Sequence, residues 1–318
     1  METVHGEPGT MYTDATCYES KMRYPTDAKL LWEGIEKSYA TMCELSSRLG
    51  IHRPRTKFLD VQKANLTYRK QRKHSRSQTR KITRRLLDLL GKILKEIREI
   101  ERGNGNAEDL LTVREKSDLE IITRMYRQQK NHFRNNDSRE SIPNRIVSLS
   151  KPHLRPIVRG KEVKSVEFGA KVNNILVDGI SFIEKLSFNE GTRLVHCLKM
   201  HKKLFGVEAK KVGGDTGYAG TENRDYCKAN GIQTSFVKRG RPFGEKKKEK
   251  DLVRKELARV RAIAMEGSFG TQKESYNLRR VKAREKRTEI LYIFFGIHTA
   301  NAVQLADRIE QRARLTAA

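Results

Sequence analysis

Cysteine is scarce in this chain of 318 residues: Cys17, Cys43, Cys197 and Cys227 are the whole complement, and no two are close together. A zinc knuckle or a disulfide framework needs closely spaced pairs, so these four read as reduced, mostly buried thiols. Long apolar runs are lacking too. The longest goes from Leu291 to Ile297, far short of the roughly 20 residues that cross a bilayer, so no membrane partner is expected. Met1 is followed by Glu2 with neither a basic head nor an apolar stretch behind it, which predicts no secretory signal and a cytoplasmic location. The shortage that says most is of acid. Thirty-nine Asp and Glu face 66 Lys and Arg, leaving a formal charge of +27. An excess of this size repels itself and is normally neutralised on a polyanion, which puts nucleic acid ahead of an acidic small substrate or a membrane surface. The 36% of hydrophobic residues are clustered rather than diluted among the 33% that are charged, so a folded core with charged additions is expected, not a disordered polybasic chain.

Thr10 to Tyr18 reads as a short strand with Asp14 in its middle. From Asp27 to about Gln129 the pattern becomes helical, most clearly at Ile82, Leu86, Leu89, Ile93, Ile97 and Ile100, with Gly103 and Gly105 ending that helix. Just before this stripe, Tyr68 to Arg85 is the strongest basic run of the chain and includes Arg72, Lys73, Arg76 and Arg80. Strand character returns at Arg155 to Arg159, Val163 to Phe168, Lys171 to Val177 and Ile180 to Phe188, with Asp178-Gly179 as a hairpin signal between the last two. A helix from Asn189 to Phe205, a strand from Ala209 to Gly213, a helix from Glu222 to Ala229 and a strand from Ile232 to Val237 follow. A basic loop, Lys238 to Lys250, leads into helix from about Asp251, with a break expected near Gly267 or Gly270. The order predicts an α/β protein, a mixed sheet flanked by helices with a long helical insertion after the first strand. Its divisions would be 1–26, the first strand of the core; 27–142, the helical, basic insertion; and 143–318, the rest of the core and the C-terminal helices.

Three acids stand apart by context. Asp14 lies inside a strand, where a solvated charge is disfavoured. Asp215 ends a strand among Gly213, Gly214 and Gly217, where the backbone can be approached closely. Glu266 lies in an apolar helical stretch between Met265 and Phe269. Carboxylates from three elements are what two hard cations need for phosphoryl transfer, since Mg²⁺ takes oxygen ligands and a metal pair serves both the attacking and the leaving oxygen. Spacing alone does not separate the trio from other acids, most of which are surface charges, caps or ion-pair partners. Asp27, as an N-cap of an Ala28 to Ser38 helix, and Asp178, in the hairpin turn, are the nearest rivals. The Gly214-x-x-Gly217-x-x-Gly220 spacing is not a dinucleotide fingerprint, and His196 and His201, five apart, are unsuited to sharing a metal from one helix face.

At these residues the chain resembles the DDE transposases of bacterial insertion sequences, whose catalytic core is RNase H-like. Asp14-Ala-Thr followed by Arg23-Tyr-Pro-Thr-Asp27 resembles the first catalytic block. Gly214-Asp-Thr-Gly-Tyr218 with Glu222-Asn-Arg224 and Gly231-Ile232 is similar to the second, and Glu266-Gly-Ser-Phe-Gly270 with Lys273, Tyr276 and Leu278 to the third. The stretches Arg155 to Gly160, Val166 to Lys171 and Val177 to Gly179 are similar to the strands between the first two blocks.

The resemblance implies that Asp14, Asp215 and Glu266 hold two Mg²⁺ ions, with Mn²⁺ as a substitute. It also implies that Lys273, seven residues after Glu266, contacts DNA phosphate, and that the partners are double-stranded transposon ends and target DNA, bound by a homodimer. Arg261 is five residues before Glu266, where the family often has arginine four before; here that position is Ala262. As a cluster, Arg72, Lys73, Arg76 and Arg80 are expected to contact phosphates without base preference. The family also carries a helical domain before its first catalytic strand, so a first acid at Asp14 leads to the expectation of a truncated copy. The alternative function is then a non-catalytic DNA-binding remnant.

Overall fold

The computed structural model describes residues 8–105, 109–135, 142–158, 166–188, 193–237 and 246–317. The chain divides into two compact units, Met22–Arg155 and Met1–Lys21 with Pro156–Ala318.

The first unit is built from α1 (Asp27–Arg48), α2 (Phe58–Lys70), α3 (Arg76–Gly103) and α4 (Val113–Arg134). The six aliphatic residues that repeat every three or four positions in α3 are all buried, together with Leu87, Leu90 and Leu94. They pack with Leu31, Ile35, Met42 and Leu45 of α1 and Ile122 and Met125 of α4 in one core. Each fully buried side chain of this kind contributes about 1.5–3 kcal/mol, which is what holds long charged helices together. The basic run is not one helix face: α2 ends at Lys70 and α3 begins at Arg76. Ser75 makes that new start. Its Oγ accepts the Gln78 N–H at 3.1 Å while Gln78 Oε1 accepts the Ser75 N–H at 2.9 Å, a reciprocal cap. Asp27 is not the N-cap of α1. Thr26 is, its hydroxyl accepting from Lys29 N–H, and Asp27 takes the first helical position, accepting from Arg145 at 2.6 Å and Gln129 at 3.1 Å.

The second unit is a mixed seven-stranded sheet with helices packed against it, compatible with an RNase H-like fold. Its strands are β1 (Thr10–Ser20), β2 (Pro156–Val158), β3 (Val166–Val177), β4 (Ile180–Ser187), β5 (Lys211–Gly214), β6 (Gln233–Thr234) and β7 (Arg280–Val281). The order is β2-β3-β1-β5-β6, with β4 also on β3 and β7 also on β1. β1 runs antiparallel to β3 and parallel to β5 and β7. The helices are α5 (Leu194–Phe205), α6 (Thr221–Ala229), α7 (Lys246–Glu274) and α8 (Lys286–Ala317). Alternation along β1 sorts its side chains. Met11 joins Ile175, Val177, Leu194, Cys197 and Val212 in the core beside α5, whereas Tyr12 packs with Leu176 against Met265, Phe269 and Ala264 of α7. Asp14, two residues from Tyr12, belongs to the α7 side.

Several boundaries differ from those expected of the sequence. The helix does not break at Gly267 or Gly270; α7 runs through both. A helical glycine costs only about 1 kcal/mol, less than burial of Met265 and Phe269 supplies on either side. The expected strands Val163–Phe168 and Lys171–Val177 are, from Val166 onward, the single strand β3, because Gly169 continues the pairing opposite Glu19. A Cβ on Gly169 would stand 2.1 Å from the Tyr18 carbonyl oxygen. Gly169→Ala is therefore expected to force β1 and β3 apart there and to cost about 1–3 kcal/mol, read as a lower urea midpoint. Strand pairing in the 232–237 stretch is confined to Gln233–Thr234, the C-terminal helix starts before Asp251, and β7 has no counterpart among the expected strands. The Asp178-Gly179 turn joins β3 to β4 with both residues at positive φ. Residues 159–165, 189–192 and 238–245, with parts of two expected strands, one helix start and most of the basic loop, lie outside the described residues.

None of the four cysteines is in a disulfide; Cys17, Cys197 and Cys227 are buried and Cys43 is half-buried. Burial pushes the Cys197 and Cys227 thiols up to about 11, so neither is a ready nucleophile at neutral pH. With a thiol reagent such as DTNB, Cys43 is expected to react first and the other three only on unfolding.

Candidate active site

Asp14 and Asp215 come from neighbouring strands. β1 and β5 pair in parallel, about 4.8 Å apart, with Thr13 opposite Gly214, and the residue that follows each of these two is one of the aspartates. β5 ends there and Asp215 turns away into a single 3₁₀ turn, Thr216–Tyr218, its Oδ1 accepting the Thr216 N–H at 2.6 Å. β1 continues, and β7 takes the same edge only at Glu19 and Ser20. The aspartates thus stand where the sheet splits, beyond the carboxyl end of β5, the place where ligands bind in open α/β sheets.

The glycines before Asp215 serve packing. A Cβ on Gly213 would meet the Tyr12 ring at 2.4 Å and the Leu257 carbonyl of α7 at 3.1 Å. Gly214 is clamped by Ser235, whose hydroxyl accepts its N–H at 2.9 Å and donates to its carbonyl at 2.7 Å.

α7 brings the remaining candidates over β1. Arg261 Nη1 donates to Asp14 Oδ2 at 2.6 Å, and the other carboxylate oxygen accepts the Ala15 N–H at 2.7 Å. Lys273 Nζ donates to Thr16 Oγ1 at 2.8 Å and lies 5.9 Å from the centre of the Tyr18 ring. Glu266 is exposed. Seven residues in a helix is nearly two turns, so Glu266 shares with Lys273 the helix edge from which Lys273 reaches β1.

The roll of α7 is set by Gln272, which is buried. Its Oε1 accepts from the Tyr18 phenol, and its Nε2 donates to Ser181 Oγ and Ser268 Oγ, both at 3.1 Å. Asn301 of α8 brackets Ser181, accepting its N–H at 3.0 Å and donating to its carbonyl at 2.6 Å. Burial holds the Tyr18 phenol far above the ordinary tyrosine range, so it stays a neutral donor. Nothing in the sequence pointed to this network: one glutamine beside Lys273 and two scattered serines carry no spacing signal.

Among the described residues, no three His, Cys, Asp or Glu side chains are gathered closely enough to hold a metal ion. The register sets Asp14 and Asp215 just after paired residues of neighbouring strands, and Glu266 is on α7 without closing a three-acid cage. The donor chemistry nonetheless fits a hard divalent cation: it is oxygen only, and Asp14 already holds a positive group in Arg261. The other four predicted contacts belong to the helical unit. Arg72, Lys73 and Arg76 are exposed around the start of α3, whereas Arg80 is half-buried with its guanidinium 4.4 Å over the Phe133 ring.

Residues 212–298, from β5 into α8, match the family model described as the transposase DDE domain. The match, over 87 of the 318 residues, supports a DDE transposase. The matched segment includes Asp215, Arg261, Glu266 and Lys273, while Asp14 lies outside it, on the strand that pairs with β5. No curated protein and no solved structure matches the chain. Among the described residues no helix is long and apolar enough to cross a membrane.

Proposed function

We propose that this protein is a transposase, a divalent-metal-dependent DNA-cleaving and strand-joining enzyme of an insertion sequence, in which water and then a 3′-hydroxyl attacks a phosphodiester in line. The observation that carries this reading is the emergence of Asp14 and Asp215 side by side where β1 outruns β5, beneath the helix that bears Glu266. Asp14, Asp215 and Glu266 would hold two Mg²⁺ ions, with Mn²⁺ as a substitute. Bound there, the ions would supply activation of the attacking hydroxyl and stabilisation of the leaving oxygen. The protein's own part is to orient these carboxylates through the strand pairing and the α7 network, and to draw in DNA with basic side chains.

Lys273 is assigned to a phosphate, for which it would leave Thr16. Arg72, Lys73 and Arg76, with Arg80 behind them, are assigned to the DNA backbone in the basic helical insertion, 27–142, and a homodimer would bring two ends together. Arg76 supports the backbone assignment. It occupies the first position of α3, whose first turn has no acid, and positive charge at the positive end of a helix is unfavourable until an anion arrives.

The test is nicking of a plasmid that carries transposon ends, with Mg²⁺ and with EDTA. Nicking with Mg²⁺ alone supports the enzyme. Salt-sensitive binding without nicking, in the presence of either Mg²⁺ or Mn²⁺, would leave the non-catalytic DNA-binding remnant as the function.

A further inference from the structure

The pair between Arg261 and Asp14 joins α7 to β1 across 247 residues of sequence. It is not an ordinary surface bridge. The N–O distance is 2.6 Å, and the two side chains retain only 19% and 23% of their exposure, so both charges have given up much of their water. A charge-assisted contact this short, between partners this covered, keeps its strength better than an exposed pair does. It also takes the outer oxygen of a carboxylate whose other oxygen is on the Ala15 N–H.

We propose that Arg261 is a resident counter-ion for Asp14: in the metal-free protein the guanidinium holds the carboxylate oxygen that a divalent cation would take, so that loading the cation displaces it. The inference rests on the reading of Asp14 as a metal holder. Its physical basis is competition. A guanidinium remains charged at any pH the protein tolerates, and it cannot share a short contact with a divalent ion at the same oxygen without strong repulsion. The arrangement has a use. Without Arg261, Asp14 would be a half-buried carboxylate with less compensation for the water it has lost. The guanidinium relieves this until the cation arrives. Once displaced, its planar fork suits a phosphate oxygen pair of incoming DNA, so the same side chain serves the empty and the loaded site. Arg261 is on this account a positioning residue whose removal helps the cation.

A merely structural role for the pair predicts the opposite sign, which makes it testable without any DNA. The full chain is stripped with EDTA, and Mn²⁺ is titrated in, with free Mn²⁺ read by electron paramagnetic resonance. Arg261→Gln removes the charge and keeps a donor; Arg261→Met keeps the packing of the stem. Both are compared with the parent, with Asp14→Asn, and with Asp14→Asn combined with Arg261→Gln; a thermal melt in EDTA identifies the folded variants. Mn²⁺ is expected to bind either folded Arg261 variant about tenfold more tightly than the parent, and to lose affinity in both Asp14→Asn proteins. If a folded Arg261 variant binds Mn²⁺ as the parent does, or more weakly, while Asp14→Asn loses it, the counter-ion role is wrong and the metal-holding role of Asp14 stands. If Asp14→Asn binds as the parent does, the metal reading of Asp14 fails and the counter-ion role with it.

Discussion

Asp215→Ala is expected to lower divalent-ion-dependent nicking of DNA carrying transposon ends by at least about a hundredfold, equivalent to roughly 2.7 kcal/mol of transition-state stabilisation. The residue suits this test because its structural duties are light. It is exposed, and the bonds its carboxylate makes are to the N–H and, at 3.3 Å, the hydroxyl of the adjoining Thr216. Losing a cap of this kind costs about 1 kcal/mol. The strand before it is held by the Ser235 clamp on Gly214 and by pairing with β1 and β6, none of which involves the Asp215 side chain. The thermal melt should therefore move little while the rate falls. Asp14→Ala is a poorer first choice, since it also strips Arg261 of its partner. Equal nicking by Asp215→Ala and the parent, in Mg²⁺ and over an EDTA blank, would remove Asp215 from the chemistry.

What could be read from the sequence follows the range of the interactions concerned. The α3 stripe was visible because one periodicity governs nine buried residues of a single helix, and the strand around Asp14 because its residue types suit a pleated surface. The 178–179 turn was legible for a similar reason: a local dipeptide sets a local backbone. The close approach expected among the glycines before Asp215 is present at Gly213, but what approaches, the Tyr12 ring and the Leu257 carbonyl, comes from elements far off in sequence. Helix continuity through Gly267 and Gly270 escaped local reading because the burial that overrides two weak residues comes from Tyr12 and Leu176, on strands far off in sequence. The cap of α1 was displaced by one residue because Thr26 and Asp27 are both good caps and only the backbone decides between them. Arg261 was noticed for its distance from Glu266, and its true partner was Asp14. A sequence displays which charges exist. Which two of them meet across a sheet and a helix is settled by strand register and helix roll, and the roll is fixed by Gln272, Ser181 and Asn301.

Replacing Arg72, Lys73 and Arg76 together by alanine is expected to weaken binding to duplex DNA on the order of a few hundredfold near 0.1 M salt, and to reduce the slope of log affinity against log salt by about 2.7. Each lost phosphate contact removes one neutralised charge, worth about 0.9 in that slope for a duplex. The choice of three follows from the structure. All three are exposed, where substitutions change stability by no more than about 0.5 kcal/mol. Ser75, which caps α3 with Gln78 between Lys73 and the helix, is untouched. Arg80 is left out because its guanidinium stacks on Phe133, so its removal would disturb the α3 and α4 packing as well as any contact with DNA. The effect should be the same for any duplex sequence, because phosphate contacts position without reading bases. A triple variant with an unchanged salt slope would mean that the phosphates are held elsewhere. The acids at the β1 and β5 ends would then need their substrate delivered by α7, from Lys273 and a displaced Arg261, and the charge excess of the helical unit would have another purpose.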